Sequence, residues 1–200
     1  IDYNIQRLGL WLKYNLKSAI GTNEWKACAD NELKPETIKA ALIREAYIGI
    51  KYGHTGDSVS ASVATKIGEK VFVEVLDCQP VRNGNRWILE YIKAIKPRQI
   101  VIDGDNGKKN LESDLKETKI IPSARILIPK TADCIAAYSG TEQAIAEQKL
   151  IHKNQPSLEQ AATNCEHRAI GTNGGFGFRA LKDDIEISLL DSVSLAYWAH

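Results

Sequence analysis

Three β-prone runs between residues 46 and 78, joined by short turns, most constrain how this chain can fold. "AYIGIKY" is apolar, "SVSASVATK" alternates small or apolar with polar residues, and "KVFVEVLDC" is rich in Val and Phe. Such runs read as strands. The intervening "YGHTGD" and "KIGEK" each carry a glycine and are too short for a crossover connection. The three strands must therefore form an antiparallel meander.

The rhythm then changes. "NRWILEYIKAIK" has helical spacing and stops before Pro97; "RQIVIDG" is a short strand; "NGKKNLESDLKE" is a helix and "ARILIP" a strand. "TADCIAAYSGTEQAIAEQKL" reads as one long helix over 131–150, and "SLEQAATNCE" as another. "HRAIG" and "FGFRAL" read as strands around "TNGG", and the last helix is expected over 183–199 with acids at its start. The order β-β-β-α-β-α-β-α gives an α/β class: an RNase H-like mixed sheet, the meander followed by parallel strands, with helices on both faces. Residues 46–200 are expected to form this domain. Residues 1–45, helix-like or irregular over 2–18 and with a short helix from Pro35, are expected to be a connector packed on it.

Two hundred residues suffice for one core, and no apolar run is long enough for a membrane span. The chain starts at Ile1 and contains no Met, so a fragment of a longer protein is expected. Cys28, Cys78, Cys134 and Cys165 lack metal-ligand spacing and read as reduced, structural residues. A net charge of +1 names no partner, so any nucleic-acid surface must come from local clustering.

The candidate chemistry is acidic. Asp103 ends the strand "IVIDG", where open α/β sheets bind ligands, although it reads equally as the cap of the "GDNG" turn. Asp191 lies in the apolar "ISLLDSVSLAYWA", where a carboxylate is costly unless paired or metal-bound; the alternative is a half-exposed polar edge. Asp105 reads as a turn or cap residue with a supporting role. Asp184 is two helical turns before Asp191, on one face about 10 Å away, and reads with Asp183 as a helix-start acid. His54, in the turn after the first strand, is the histidine nearest to these elements. Lys108, Lys109, Arg125, Lys130, Arg168, Arg179 and Lys182 are each ordinary surface charges, yet together could hold phosphates. "TNGGFGFR" is either a plain hairpin turn or a DNA-contacting loop ending in Arg179.

With these residues in place, the chain resembles the C-terminal nuclease domain of the large terminase subunit of tailed bacteriophages. "YIGIKYGHTGDSVSASVA" looks like that family's first acidic strand and turn, "IVIDGDNGKKNL" its second acidic strand, and "ISLLDSVSLAYWA" its closing helix. "NIQRLGLWLKYNLKSAIGTNEWKAC" is similar to the segment joining ATPase motor and nuclease. The resemblance implies an endonuclease that cuts concatemeric double-stranded DNA with little sequence preference, using one or two Mg²⁺ or Mn²⁺ ions. It also implies an N-terminal ATPase domain, the terminase small subunit and the capsid portal as partners, and the cytoplasm of an infected bacterium as location. Asp103 and Asp191 carry over as catalytic metal ligands, with Asp57, Asp105 or Asp184 completing the shell. One departure stands out: Lys51 occupies the position of the family's first metal-binding Asp. Alternation places Tyr47, Gly49 and Lys51 on one face of their strand, so the Lys51 amine is expected beside Asp103, weakening the activity. The alternative is a weakened or inert DNA-binding and docking module of the motor.

Overall fold

A computed structural model describes residues 18–200; the expectation for residues 2–17 lies outside it. Two short helices, α1 (Thr22–Ala27) and α2 (Pro35–Arg44), precede the sheet. The meander follows as β1 (Tyr47–Tyr52), β2 (Ser58–Ile67) and β3 (Lys70–Pro80). Then come α3 (Arg86–Ile95), β4 (Gln99–Asp103), α4 (Lys108–Thr118), β5 (Ile126–Leu127) and α5 (Thr131–Ala146). The chain continues through β6 (Leu150–His152), α6 (Pro156–Thr163), β7 (Cys165–Ile170), β8 (Gly175–Ala180) and α7 (Ser188–Ala199).

Six strands form one mixed sheet in the order β5-β4-β1-β2-β3-β6, and β7 and β8 form a separate hairpin. β1 is antiparallel to β2 and parallel to β4, with Lys51 opposite Ser60 on one side and Asp103 on the other. This is the expected meander running into parallel strands, and the architecture is RNase H-like.

Strand alternation divides the core. Ile48, Ile50 and Tyr52 of β1, Val59, Ala61 and Val63 of β2, and Ile100 and Ile102 of β4 face α3 and α4, which bury Ile88, Ile92, Leu111 and Leu115 against them. The opposite face packs under α5, α6 and α7. There the sheet is small-residued under α7: Gly49, Ser60 and Ser62. A Cβ on Gly49 would sit 2.2 Å from the Ser192 carbonyl oxygen and 2.4 Å from the Ala196 nitrogen, so only glycine lets the helix backbone approach this closely. Ser60 and Ser62 hydrogen-bond Ser188 and Ser192, both at 2.6 Å, which satisfies buried hydroxyls across the same contact.

Several boundaries depart from expectation. α5 ends at Ala146, because Gln148 turns left-handed (φ 53°) and releases "LIH" to pair in parallel with β3 as β6. Residues 165 and 166 belong to β7 rather than to the preceding helix. β5 is only two residues long. α7 starts at Ser188, not at residue 183, so Asp183 and Asp184 are not its helix-start acids. That part is taken by Glu186, whose Oε1 accepts from the Ser188 N–H at 3.2 Å. α3 ends as expected before Pro97, with Lys96 left-handed. Trp25 of α1 is buried and stacks on His152 of β6 at 4.0 Å. Among the described residues, no helix is long and apolar enough to cross a membrane.

Candidate functional site

Lys51 and Asp103 pair where β1 and β4 end, and Asp191 of α7 acts electrostatically on both from the same face. Parity fixes two of them: Lys51 shares the face of Tyr47 and Gly49, and Asp103 that of Val101, which packs with Ala137 and Leu195. The Lys51 Nζ donates to Asp103 Oδ2 at 2.5 Å. The pair is mostly buried, with side chains 13% and 17% exposed. The β4 strand must stop there, because Gly104 is left-handed (φ 105°) and lies against the Tyr52 carbonyl, where any Cβ would clash at 2.5 Å. The turn that follows sends the chain into α4, and with His54, Asp105 and Asn106 it walls an open pocket of about 360 Å³ that exposes the Lys51–Asp103 pair.

Asp191 is the fourth residue of α7. It is 6% exposed, which removes the half-exposed alternative, and its Oδ1 is buried without a hydrogen-bond partner. Burial pushes its carboxyl up to about 7, with Lys51 and Arg168 pulling down and Asp103 and Glu186 pushing up. Burial works against the Lys51 ammonium, but Asp191 and Asp103 outweigh it and hold its pKa above the ordinary value. The three groups thus sit within each other's electrostatic reach, on one face of the sheet.

Two neighbours on α5 were not singled out from sequence. Burial raises the Cys134 thiol to about 11, reinforced by Asp103, and raises the Tyr138 phenol, reinforced by Asp191. Their signal was the four-residue spacing of Cys134 and Tyr138 along α5, which alone cannot say what the stripe covers.

The remaining candidates are scattered. Asp105 is exposed and paired with Lys108 at 2.5 Å. Asp57 is exposed at the end of the β1–β2 turn. Asp184 lies off α7 and lines a separate groove with Cys78 and Gln155. Of the basic residues, Lys108 feels Asp103 and Arg168 acts on Asp191. Arg179 is held across the hairpin by Glu166 at 2.6 Å. Lys109, Arg125, Lys130 and Lys182 are exposed. Among the described residues, no group of three or more His, Cys, Asp or Glu side chains converges as a metal cage.

No family model matches the chain, and no curated protein sequence does. Solved structures do. The large terminase of bacteriophage HK97 superposes with a TM-score of 0.65 at 12% identity, covering 92% of this chain and 43% of that one. The nuclease domain of a mutant large terminase subunit of bacterial virus Sf6, with manganese and beta-thujaplicinol, gives 0.58 at 13% identity over 92% and 98% of the two chains. The magnesium-bound large terminase nuclease of a thermophilic phage gives 0.57 at 16% identity over 76% and 80%. The chain therefore has the fold of these nuclease domains, and spans less than half the length of the HK97 terminase.

Proposed function

We propose that this chain is the nuclease-type domain of a viral DNA-packaging terminase, and that it hydrolyses the backbone of double-stranded DNA at the Lys51–Asp103–Asp191 centre. The observation that carries this reading is the buried Asp191 carboxylate, with an unpartnered Oδ1, on the same sheet face as Asp103. A buried carboxylate oxygen without a hydrogen-bond partner in so apolar a helix is costly. A hard divalent cation would offset that cost, and Mg²⁺ commonly takes only one or two carboxylates plus water and phosphate. The fold's likeness to nuclease domains solved with magnesium and with manganese supports the same choice of ion.

The residues fit one such ion and do not fit a pair. Asp103 and Asp191 would hold it. Asp57, Asp105 and Asp184, one of which was expected from sequence to complete the shell of metal ligands, lie exposed or in another groove. The chemistry supplied by a bound ion is a more acidic water and a charge to offset that of the phosphate. The chain's own residues do the rest. Asp103 anchors Lys51, α7 keeps Asp191 out of bulk water, and Lys108 and Arg168 bring positive charge to the rim. Lys109, Lys130, Arg179 and Lys182 would contact the phosphate backbone more remotely, and none of these elements resembles a base-reading helix, so little sequence preference is expected.

Residues 1–45 would join this domain to an N-terminal ATPase, with the small subunit and portal as further partners, acting in the cytoplasm of an infected bacterium. One observation favours a second reading: the Lys51–Asp103 pair neutralises a carboxylate that a nuclease would want free. On that reading the domain binds DNA and docks within the motor without cutting. Incubating supercoiled plasmid with the chain in Mn²⁺, in EDTA, and with Asp191→Ala decides between them. Nicking that needs Mn²⁺ and Asp191 supports the nuclease; DNA binding with no nicking in any arm supports the docking module.

A further inference from the structure

The acid centre already contains a cation. Lys51 Nζ lies 2.5 Å from Asp103 Oδ2, and both side chains of the pair are mostly buried. Its position is fixed by the β1–β4 register, which sets Lys51 directly opposite Asp103. Gly49 before it is pressed under α7 and Tyr52 after it is packed into the other face of the sheet, so the Lys51 side chain leaves β1 on the α7 face. An ammonium cannot ligate a metal, and its 2.5 Å hydrogen bond occupies a carboxylate oxygen that a second ion would need.

We propose that the Lys51 ammonium is a permanent occupant of this centre, filling the place of one divalent cation, so that the chain takes a single ion and Lys51 itself meets the DNA phosphate. This rests on the nuclease-type reading of the site, and extends it by naming one of the two phosphate-facing charges. The Lys51–Asp103 pair lines the pocket beside His54 and Asn106, which gives a phosphate a path to the ammonium. With two carboxylates and one ammonium, the centre carries at most one net negative charge before any ion binds, so it needs no metal to stay assembled.

The test is calorimetric titration of Mn²⁺ at pH 8 into wild type, Lys51→Asp and Lys51→Ala, each first checked for a native circular dichroism spectrum. Wild type should take one ion, and Lys51→Asp should take two. Lys51→Ala should still take one, bound at least about tenfold tighter, because a repelling charge a few ångströms away is gone. The alanine variant keeps the test decisive if the aspartate variant misfolds. Two ions in wild type, the same number in wild type and Lys51→Asp, or unchanged affinity in Lys51→Ala would each overturn the role of Lys51. No Mn²⁺ bound by any of the three would instead remove the metal site itself, and with it the nuclease reading.

Discussion

Replacing Asp191 by asparagine should make the metal-free protein more stable at pH 8 and less stable at pH 4. The carboxyl is raised by burial from an ordinary 3.8 to about 7 in the fold. A group whose folded pKa lies above its unfolded value stabilises the fold below the unfolded pKa, and that stabilisation is lost as pH rises through the folded one. The window here runs from about pH 4 to about pH 7. A gap of roughly three units corresponds to a cost of about 4 kcal/mol at pH 8, shrinking to under about 1 kcal/mol at pH 4. Asparagine keeps the shape and removes the charge, but buries an amide N–H₂ whose unmet hydrogen bonds cost about 1–3 kcal/mol. The balance is a gain of about 1–3 kcal/mol at pH 8 and a loss of similar size at pH 4. Urea unfolding followed by tryptophan fluorescence at both pH values, in EDTA, reads this directly as a midpoint shift that changes sign. A difference between variant and wild type that does not vary with pH would refute the claim that Asp191 is held in an unfavourable charged state. Nicking activity should vanish in the same variant, so stability and function would move in opposite directions at one residue.

Three other outcomes follow from the same geometry. Gly49→Ala should destabilise the fold by at least about 2 kcal/mol, since the new Cβ meets helix backbone and not a movable side chain; a thermal midpoint within a degree of wild type would show that α7 has room to shift. Mn²⁺ affinity should fall as pH drops through about 7, because the Asp191 proton then competes with the ion; flat affinity between pH 8 and 6 would place the ion elsewhere. DNA binding should weaken steeply with salt, and Lys108→Ala or Arg168→Ala should lower the slope of log K against log salt by up to about one each without altering sequence preference; unchanged slopes would put both residues outside the DNA path.

The sequence by itself determined the meander, the switch to parallel strands and the face on which Lys51 lies. These depend on period-two alternation and on turns too short for crossovers, and both are local properties. It also singled out Asp103 and Asp191 as candidates, because an acid at a strand end and an acid in an apolar helix are visible without coordinates. It misplaced what depends on partners. "LIH" reads as the end of a helix until β3 offers an edge to pair with, and α7 begins at Ser188 because Glu186 folds back onto its first N–H. Asp184 sat two turns from Asp191 only on a helix that does not extend that far. Tertiary structure alone decided that Cys134 and Tyr138 of α5 feel the charges of the centre, that Arg168 of the hairpin acts on Asp191, and that Asp105 pairs with Lys108 at the surface. The reason is range: periodicity fixes which way a side chain faces along its own element, whereas the charges acting on Asp191 arrive from residues as far apart in sequence as 51 and 186, and only the packed sheet and helices bring them to one place.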